Sequence, residues 1–232
     1  MAIIGLIPAR GGSKGIPGKN IIPCAGRPLL AYTAAAALAA NCLDRVILST
    51  DDAGIANVGR ECGLDVPFLR PAELATDRAN SLSVIIHTLD WLESQGTMVD
   101  AIVLLQPTSP LRTADHIREA VNLFHTQKPD ALVSVVEVPH QYHPNALMRL
   151  EQHTLVPVVA ASEMILRRQN VLPLYARNGP AILILSVNQI RSGSFYSGVT
   201  APYVMSQHDS LDIDTTEDLA VAAAYLARSS PA

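Results

Sequence analysis

The chain has 232 residues, 49% of them hydrophobic, and a net charge of −4. This suits one large domain, or a domain with a small extension, with ample apolar content for one core; it argues against disorder and gives no reason to expect nucleic acid or an anionic membrane as a partner. Cys24, Cys42 and Cys62 are odd in number, widely spaced and without a CxxC pair, which argues against a disulfide framework or a zinc site and for a reducing compartment.

The first apolar run, 2–7, has the length and residue types of a buried strand, and it has no charged region before it of the kind a secretory leader carries. No stretch approaches the roughly 18 apolar residues of a membrane span, so the expected location is the cytoplasm. The run feeds directly into Ile7 to Asn20, IPARGGSKGIPGKN, a basic glycine-rich loop. Gly11, Gly12, Gly15 and Gly18 let the backbone approach a ligand with its N–H groups inward, and Arg10, Lys14 and Lys19 add positive charge suited to a triphosphate. The Walker A spacing fails, because Gly12 and Gly18 enclose one residue too many and Asn20 stands where that motif needs a hydroxyl. Pro17 likewise argues against a helix opening inside the loop, as a dinucleotide fingerprint requires.

Further strands are expected at 45–49, 101–105 and 131–137, alternating with helices at 28–41, 53–62, 80–94 and 114–127. This is the sequence form of an α/β fold, a doubly wound and mostly parallel sheet covered by helices on both faces. Ligands in such folds sit beyond the carboxyl ends of the strands, which directs attention to three strand ends. The first gives the loop Arg10 to Asn20. The second gives Ser49-Thr50-Asp51-Asp52, in which either aspartate could cap the next helix. The third gives Gln106-Pro107-Thr108-Ser109-Pro110, a stiff turn that presents an amide and two hydroxyls to a polyhydroxylated ligand. Asn80 or Ser81 caps the helix from 80, whose N-terminus would suit base edges or phosphate oxygens.

From 138 to 178 the period breaks at Pro139, Pro144, Pro157 and Pro173, as in a segment appended to the sheet. His140 and His143 lack a third metal ligand nearby. Arg167, Arg168 and Gln169 offer a guanidinium and an amide for a carboxylate. Near the C-terminus, Asp212 and Asp214 on a strand would point the same way and suit a divalent cation; Asp214 could instead cap the helix from Thr215, with Glu217 completing a capping box.

The glycine-rich loop closely resembles the N-terminal signature of the CMP-sialic acid synthetases, the N-acylneuraminate cytidylyltransferases. Leu48 to Asp52, Arg70 to Ala75, Leu105 to Arg112, Arg168-Gln169, Arg177-Asn178-Gly179 and Asp212 to Thr215 resemble the same family, in its order and over nearly the whole chain. The resemblance implies a Rossmann-like nucleotidyltransferase, a single cytidylyltransferase domain over 1–232 that activates a nine-carbon N-acylated sugar acid with CTP and Mg2+ and releases pyrophosphate. It implies phosphate or nucleotide contacts at Arg10, Gly12, Lys14, Lys19, Asn20, Arg70 and Ser81, and sugar contacts at Gln106, Thr108, Arg168 and Gln169. Lys19, Arg168, Asp212 and Asp214 would be catalytic, with the two aspartates on the metal. Arg167 aligns as well as Arg168; the latter is preferred because it directly precedes Gln169. A homodimer packed through 138–178 is also implied. Legionaminate, pseudaminate and the eight-carbon KDO are alternative sugar acids, and a non-catalytic nucleotide-binding module is the alternative of another class. Pro139 to Ala146 and Pro180 depart from the patterns of the best-known bacterial sialic acid enzymes, which bears on sugar preference alone.

Overall fold

The computed structural model describes residues 2–76, 79–159, 172–179 and 181–229. Strand β1 (Ile3–Pro8) enters the glycine-rich loop, which closes in a single 3-10 turn at Lys19–Ile21. A two-residue hairpin of β2 (Pro23–Cys24) and β3 (Arg27–Pro28) then leads into α1 (Leu29–Ala39). No long helix opens from the loop, in keeping with Pro17. There follow β4 (Arg45–Ser49), α2 (Ala53–Glu61), α3 (Ser81–Ser94), β5 (Ala101–Leu104), α4 (Ala114–Gln127) and β6 (Ala131–Glu137), each within two residues of its expected bounds. Beyond them lie β7 (Met148–Glu151), β8 (Thr154–Pro157), β9 (Tyr175–Arg177), β10 (Leu183–Ser186), α5 (Val187–Arg191), β11 (Thr200–Met205) and α6 (Thr216–Ser229).

The main sheet has the order β11-β6-β10-β5-β1-β4, with β9 also beside β6. β1, β4, β5, β6 and β11 run one way, and β10 and β9 run against them. Alternate residues of β1 serve opposite faces. Ile3 and Ile7 pack with α1, α2 and α4, while Ile4 and Leu6 pack with α3 and α5. Burial on both faces is why these strands read as unbroken apolar runs. A third apolar cluster joins Ile16 of the glycine-rich loop to Ile213 and to Ala222 of α6.

Within the segment expected as an extension, β7 and β8 form a hairpin of their own, whereas β9 returns to the main sheet. β9 pairs with Val135–Glu137 and β10 with Ala131–Val133, so both lie along one edge of β6, with a break opposite Ser134. Polar side chains close that break. Ser134 Oγ donates to Asn178 Oδ1 at 2.6 Å and accepts from Ile182 N at 2.8 Å, while Asn178 Nδ2 donates to Ser210 Oγ at 2.9 Å. Gly179 turns through φ +111°, and a Cβ there would lie 3.2 Å from Asp212 Oδ2. The break thus brings backbone against Asp212, as sheet irregularities beside functional sites do.

Two local expectations are corrected. Residues 211–214 belong to no strand. The α6 capping box is made by Thr215 and Asp218: Asp218 N donates to Thr215 Oγ1 and Thr215 N to Asp218 Oδ2, a reciprocal pair that Asp214 and Glu217 do not make. At the start of α3 the capping residue is Asn80, which accepts from Ser83 N at 2.8 Å, so Ser81 is the first helical residue.

Because the Asn178 amide joins β6 to the 206–210 turn inside the protein, Asn178→Ala leaves buried partners unmatched and is expected to lower unfolding stability by about 1 to 3 kcal/mol. Urea unfolding checks this, and an unchanged midpoint contradicts it.

Candidate active site

The ends of β1 and β5 face the start of α3 across a crevice of about 280 Å3. Arg10, Lys19, Asn20, Arg70, Ser81, Gln106 and Thr108 line it, so residues far apart in sequence meet where the strand ends converge. Gly12 and Lys14 lie exposed on the loop, outside its walls. Arg168 and Gln169 fall outside the described residues.

The loop is held from behind. Gly18 takes the left-handed conformation at φ 64°, and the buried Asn20 donates from Nδ2 to Arg10 O at 2.9 Å, which closes the loop on itself. Gly11 N donates to Asp51 Oδ1 at 3.1 Å, and the same oxygen pairs with Arg70 Nη2 at 3.7 Å. The neighbouring Asp52 accepts from Ile55 N at 2.9 Å and caps α2. Of the two aspartates left open by the sequence, one therefore ends a helix and the other braces the crevice. Burial lowers the pKa of Arg70, and the Asp51 carboxylate opposes that shift.

Asp212 and Asp214 do not line this crevice; their segment is joined to it through two residues that do, Lys19 and Thr108. The centre of the segment, Ile213, is fully buried and donates its N–H to Thr108 O at 2.9 Å. Lys19 Nζ donates to Ile213 O at 2.7 Å and to Asp214 Oδ1 at 3.2 Å. The Asp214 side chain is 77% exposed, so this ion pair is readily exchanged. Asp212 is half-buried, and burial raises its pKa; the Thr108 hydroxyl opposes that shift, Asp214 adds to it and Lys19 opposes it. Asp212 Oδ1 is buried with no hydrogen-bond partner among the described residues.

An orphaned carboxylate oxygen beside a second carboxylate fits a hard divalent cation. Among the described residues no cluster of three acidic, histidine or cysteine side chains is present. His143 Nδ1 instead accepts from Asn145 N at 3.3 Å in a short turn.

Sequence reasoning missed the bracing function of Asp51 and gave no role to Arg112, which is buried beneath the Gln106 turn. For Asp51 the only available signal was its place one residue after a strand-end threonine. For Arg112 it was a cation two residues after the stiff Gln106–Pro110 turn.

A doubly wound sheet with a basic loop after its first strand, and two carboxylates tied to that loop through Lys19, defines a nucleotide-handling α/β protein. The cytidylyltransferase family profile matches residues 4–220, and the chain belongs to that family; it is a nucleotidyltransferase. It is 37% identical to the CMP-N,N'-diacetyllegionaminic acid synthase of Legionella pneumophila, over 95% of this chain and 94% of that one. It is 35% identical to an N-acylneuraminate cytidylyltransferase of Streptococcus agalactiae over 94% of this chain, which spans only 52% of that relative. Among solved structures, a CMP:2-keto-3-deoxy-manno-octonic acid synthetase complexed with CTP shares the fold with a TM-score of 0.71, covering 98% of this chain and 99% of that one at 12% identity. No helix among the described residues is long and apolar enough to cross a membrane.

The raised pKa of Asp212 carries a sign that can be tested. Folding disfavours the ionised carboxylate, a cost present above the raised pKa and relieved as pH falls through it. Asp212→Asn is therefore expected to raise the urea midpoint at pH 7, with the gain shrinking towards about pH 4, the carboxylate range. A midpoint at or below wild type at pH 7 contradicts this.

Proposed function

We propose that the protein transfers the CMP group of CTP to the anomeric hydroxyl of a nine-carbon N-acylated sugar acid of the neuraminate type, releasing pyrophosphate. The observation that supports this most is the joining of the basic loop to the Asp212–Asp214 segment through Lys19, which sets triphosphate-binding and cation-binding groups next to one another. Same-class sugar acids remain alternatives, and the end-to-end likeness to a diacetyllegionaminic acid synthase favours that acid among them. The single extended domain, with 138–178 as its appended part, is included in the proposal.

In this reading Arg10 and Lys19 sit against phosphate oxygens, with Lys14 on the outer rim, while the Gly12 region lets the loop backbone approach. Arg70 offers its guanidinium to the nucleotide from a position paired with Asp51. Asn20 shapes the loop, and Ser81 at the first turn of α3 offers a hydroxyl and helix N–H groups to the nucleotide. Gln106 and Thr108 face the sugar acid, and Arg168 and Gln169 are assigned to its carboxylate. Asp212 and Asp214 would hold a divalent cation, which when bound neutralises phosphate charge and acidifies the attacking hydroxyl. The chain's own contribution is to hold the hydroxyl in line with the α-phosphorus and to place cations where charge grows on the leaving pyrophosphate.

A homodimer is part of the proposal. Leu150 is 68% exposed and Leu155 60% exposed on the β7–β8 hairpin, with Leu147, Met148 and Val158 exposed beside them, an apolar surface of the kind that packs on a second subunit. Sedimentation is expected to give a dimer at micromolar concentration; a monomer contradicts the dimer and leaves the chemistry standing.

The activity is tested by pyrophosphate release from each of the four nucleoside triphosphates against a panel of sugar acids. Release is expected with CTP, Mg2+ and N-acetylneuraminate or another N-acyl nine-carbon acid, and only poorly with KDO. A single methyl or hydroxyl changes selectivity by about 1 to 3 kcal/mol, so cross-reaction among the nine-carbon acids is expected. No release with any pair would favour a non-catalytic nucleotide-binding module, and a higher kcat/KM for KDO than for every nine-carbon acid would overturn the sugar assignment. Lys19→Ala is expected to lower turnover about a hundredfold or more while the fold survives; turnover like wild type would remove Lys19 from the reaction.

A further inference from the structure

Arg112 is 2% exposed, yet among the described residues no carboxylate pairs with it. An unpaired buried guanidinium costs several kcal/mol, so its retention calls for a physical reason. Nη1 donates to Ala181 O at 2.7 Å and to Gln106 O at 3.2 Å, Nη2 donates to Thr33 Oγ1 at 2.6 Å, and Nε has no partner. Burial lowers its pKa to about 9, which leaves it protonated at neutral pH, so these are charge-assisted bonds.

The three acceptors belong to three parts of the fold. Gln106 begins the turn after β5, Thr33 lies in α1, and Ala181 stands two residues beyond Gly179, whose backbone abuts Asp212. Gln106 O is a meeting point in its own right, since Thr33 Oγ1 and Ser109 N also donate to it, each at 3.4 Å. Two residues on, Thr108 O accepts the Ile213 N–H that sets Asp212 and Asp214. A planar fork that reaches three acceptors at once cannot be reproduced by the point charge of lysine.

We propose that Arg112 is a positioning residue for the sugar-acid half of the crevice: its buried guanidinium bolts the Gln106–Thr108 turn to the Ala181 end of the sheet break and so fixes the Asp212–Asp214 segment. The kinetic part rests on the activity proposed above; the structural part does not. A residue needed only for stability would lower the melting temperature and leave the chemistry of the folded fraction unchanged.

The test compares Arg112→Met and Arg112→Lys with wild type by amide hydrogen exchange and by pyrophosphate release normalised to folded, CTP-binding protein. In Arg112→Met the Ile213 amide is expected to exchange about tenfold faster or more, while the Gly11 amide, held by Asp51, does not change. Loss of sub-ångström placement is expected to lower kcat/KM for the sugar acid about a hundredfold while KM for CTP stays within about twofold, and Arg112→Lys is expected to recover no more than about a tenth of the lost activity. Unchanged Ile213 exchange, equal losses for both substrates, or full activity in Arg112→Lys would each overturn the proposal. Should Arg112→Met fail to fold, Thr33→Val removes one bond of the same fork and is expected to show the same pattern at about three- to tenfold amplitude; wild-type values there would overturn it equally. A wild-type protein that releases no pyrophosphate with any sugar acid contradicts the activity, and hydrogen exchange still decides the positioning.

Discussion

Ile213 fixes the segment that carries Asp212 and Asp214. Its side chain is buried in an apolar cluster with Ile16 of the glycine-rich loop, its N–H is taken by Thr108 O, and its carbonyl is taken by Lys19 Nζ. An apolar residue held on three sides has little freedom, and the flanking Asp212 and Asp214 inherit that constraint. The carboxylates are therefore located by the hydrophobic effect and by backbone hydrogen bonds. Neither force depends on the charges themselves, which lets Asp212 keep an unsatisfied oxygen without the segment moving away from it. The loop that starts the fold and the segment that nearly ends it are built as one unit, through a contact that spans 194 residues.

Buried charge is handled in two ways around this unit. Arg70 stands against Asp51, and the same carboxylate oxygen holds Gly11 N, so one acidic group both offsets a buried cation and braces the loop. Arg112 has carbonyl and hydroxyl acceptors only. A carboxylate at that point would cancel the positive charge behind a crevice that must attract anions, whereas neutral acceptors leave it in place. Asp51 follows β4, the strand at the edge of the sheet.

Much of this was legible in the sequence. The strands and helices of the first 140 residues follow from apolar runs and helical periods, the strand-end rule points to the loop and the Gln106 turn, and the family resemblance adds Arg70 and Ser81. The reversed strands β10 and β9 were not legible, because a short apolar run such as Ala181 to Leu185 carries no sign of its direction. The expected strand over 211–214 failed in a useful way. Alternation put both aspartates beside a buried Ile213, but the partners of that residue are Thr108 and Lys19 rather than a neighbouring strand. Likewise Thr215 and Asp218 fit a capping box as well as Asp214 and Glu217 do, and only the backbone geometry separates them. Local pattern thus fixed which elements exist, and long-range hydrogen bonds decided what each polar residue in them does.

The central claim is that the triphosphate binds on the Arg10 to Asn20 loop and the divalent cation on Asp212 and Asp214, the two joined through Lys19. A crystal structure of the protein soaked with CTP and Mn2+, with the ion located by its anomalous scattering, tests this most directly. The account requires the triphosphate against Arg10 and Lys19 and the manganese in contact with an oxygen of Asp212 or Asp214. Manganese bound away from both carboxylates, or a triphosphate lying outside the loop, would contradict it.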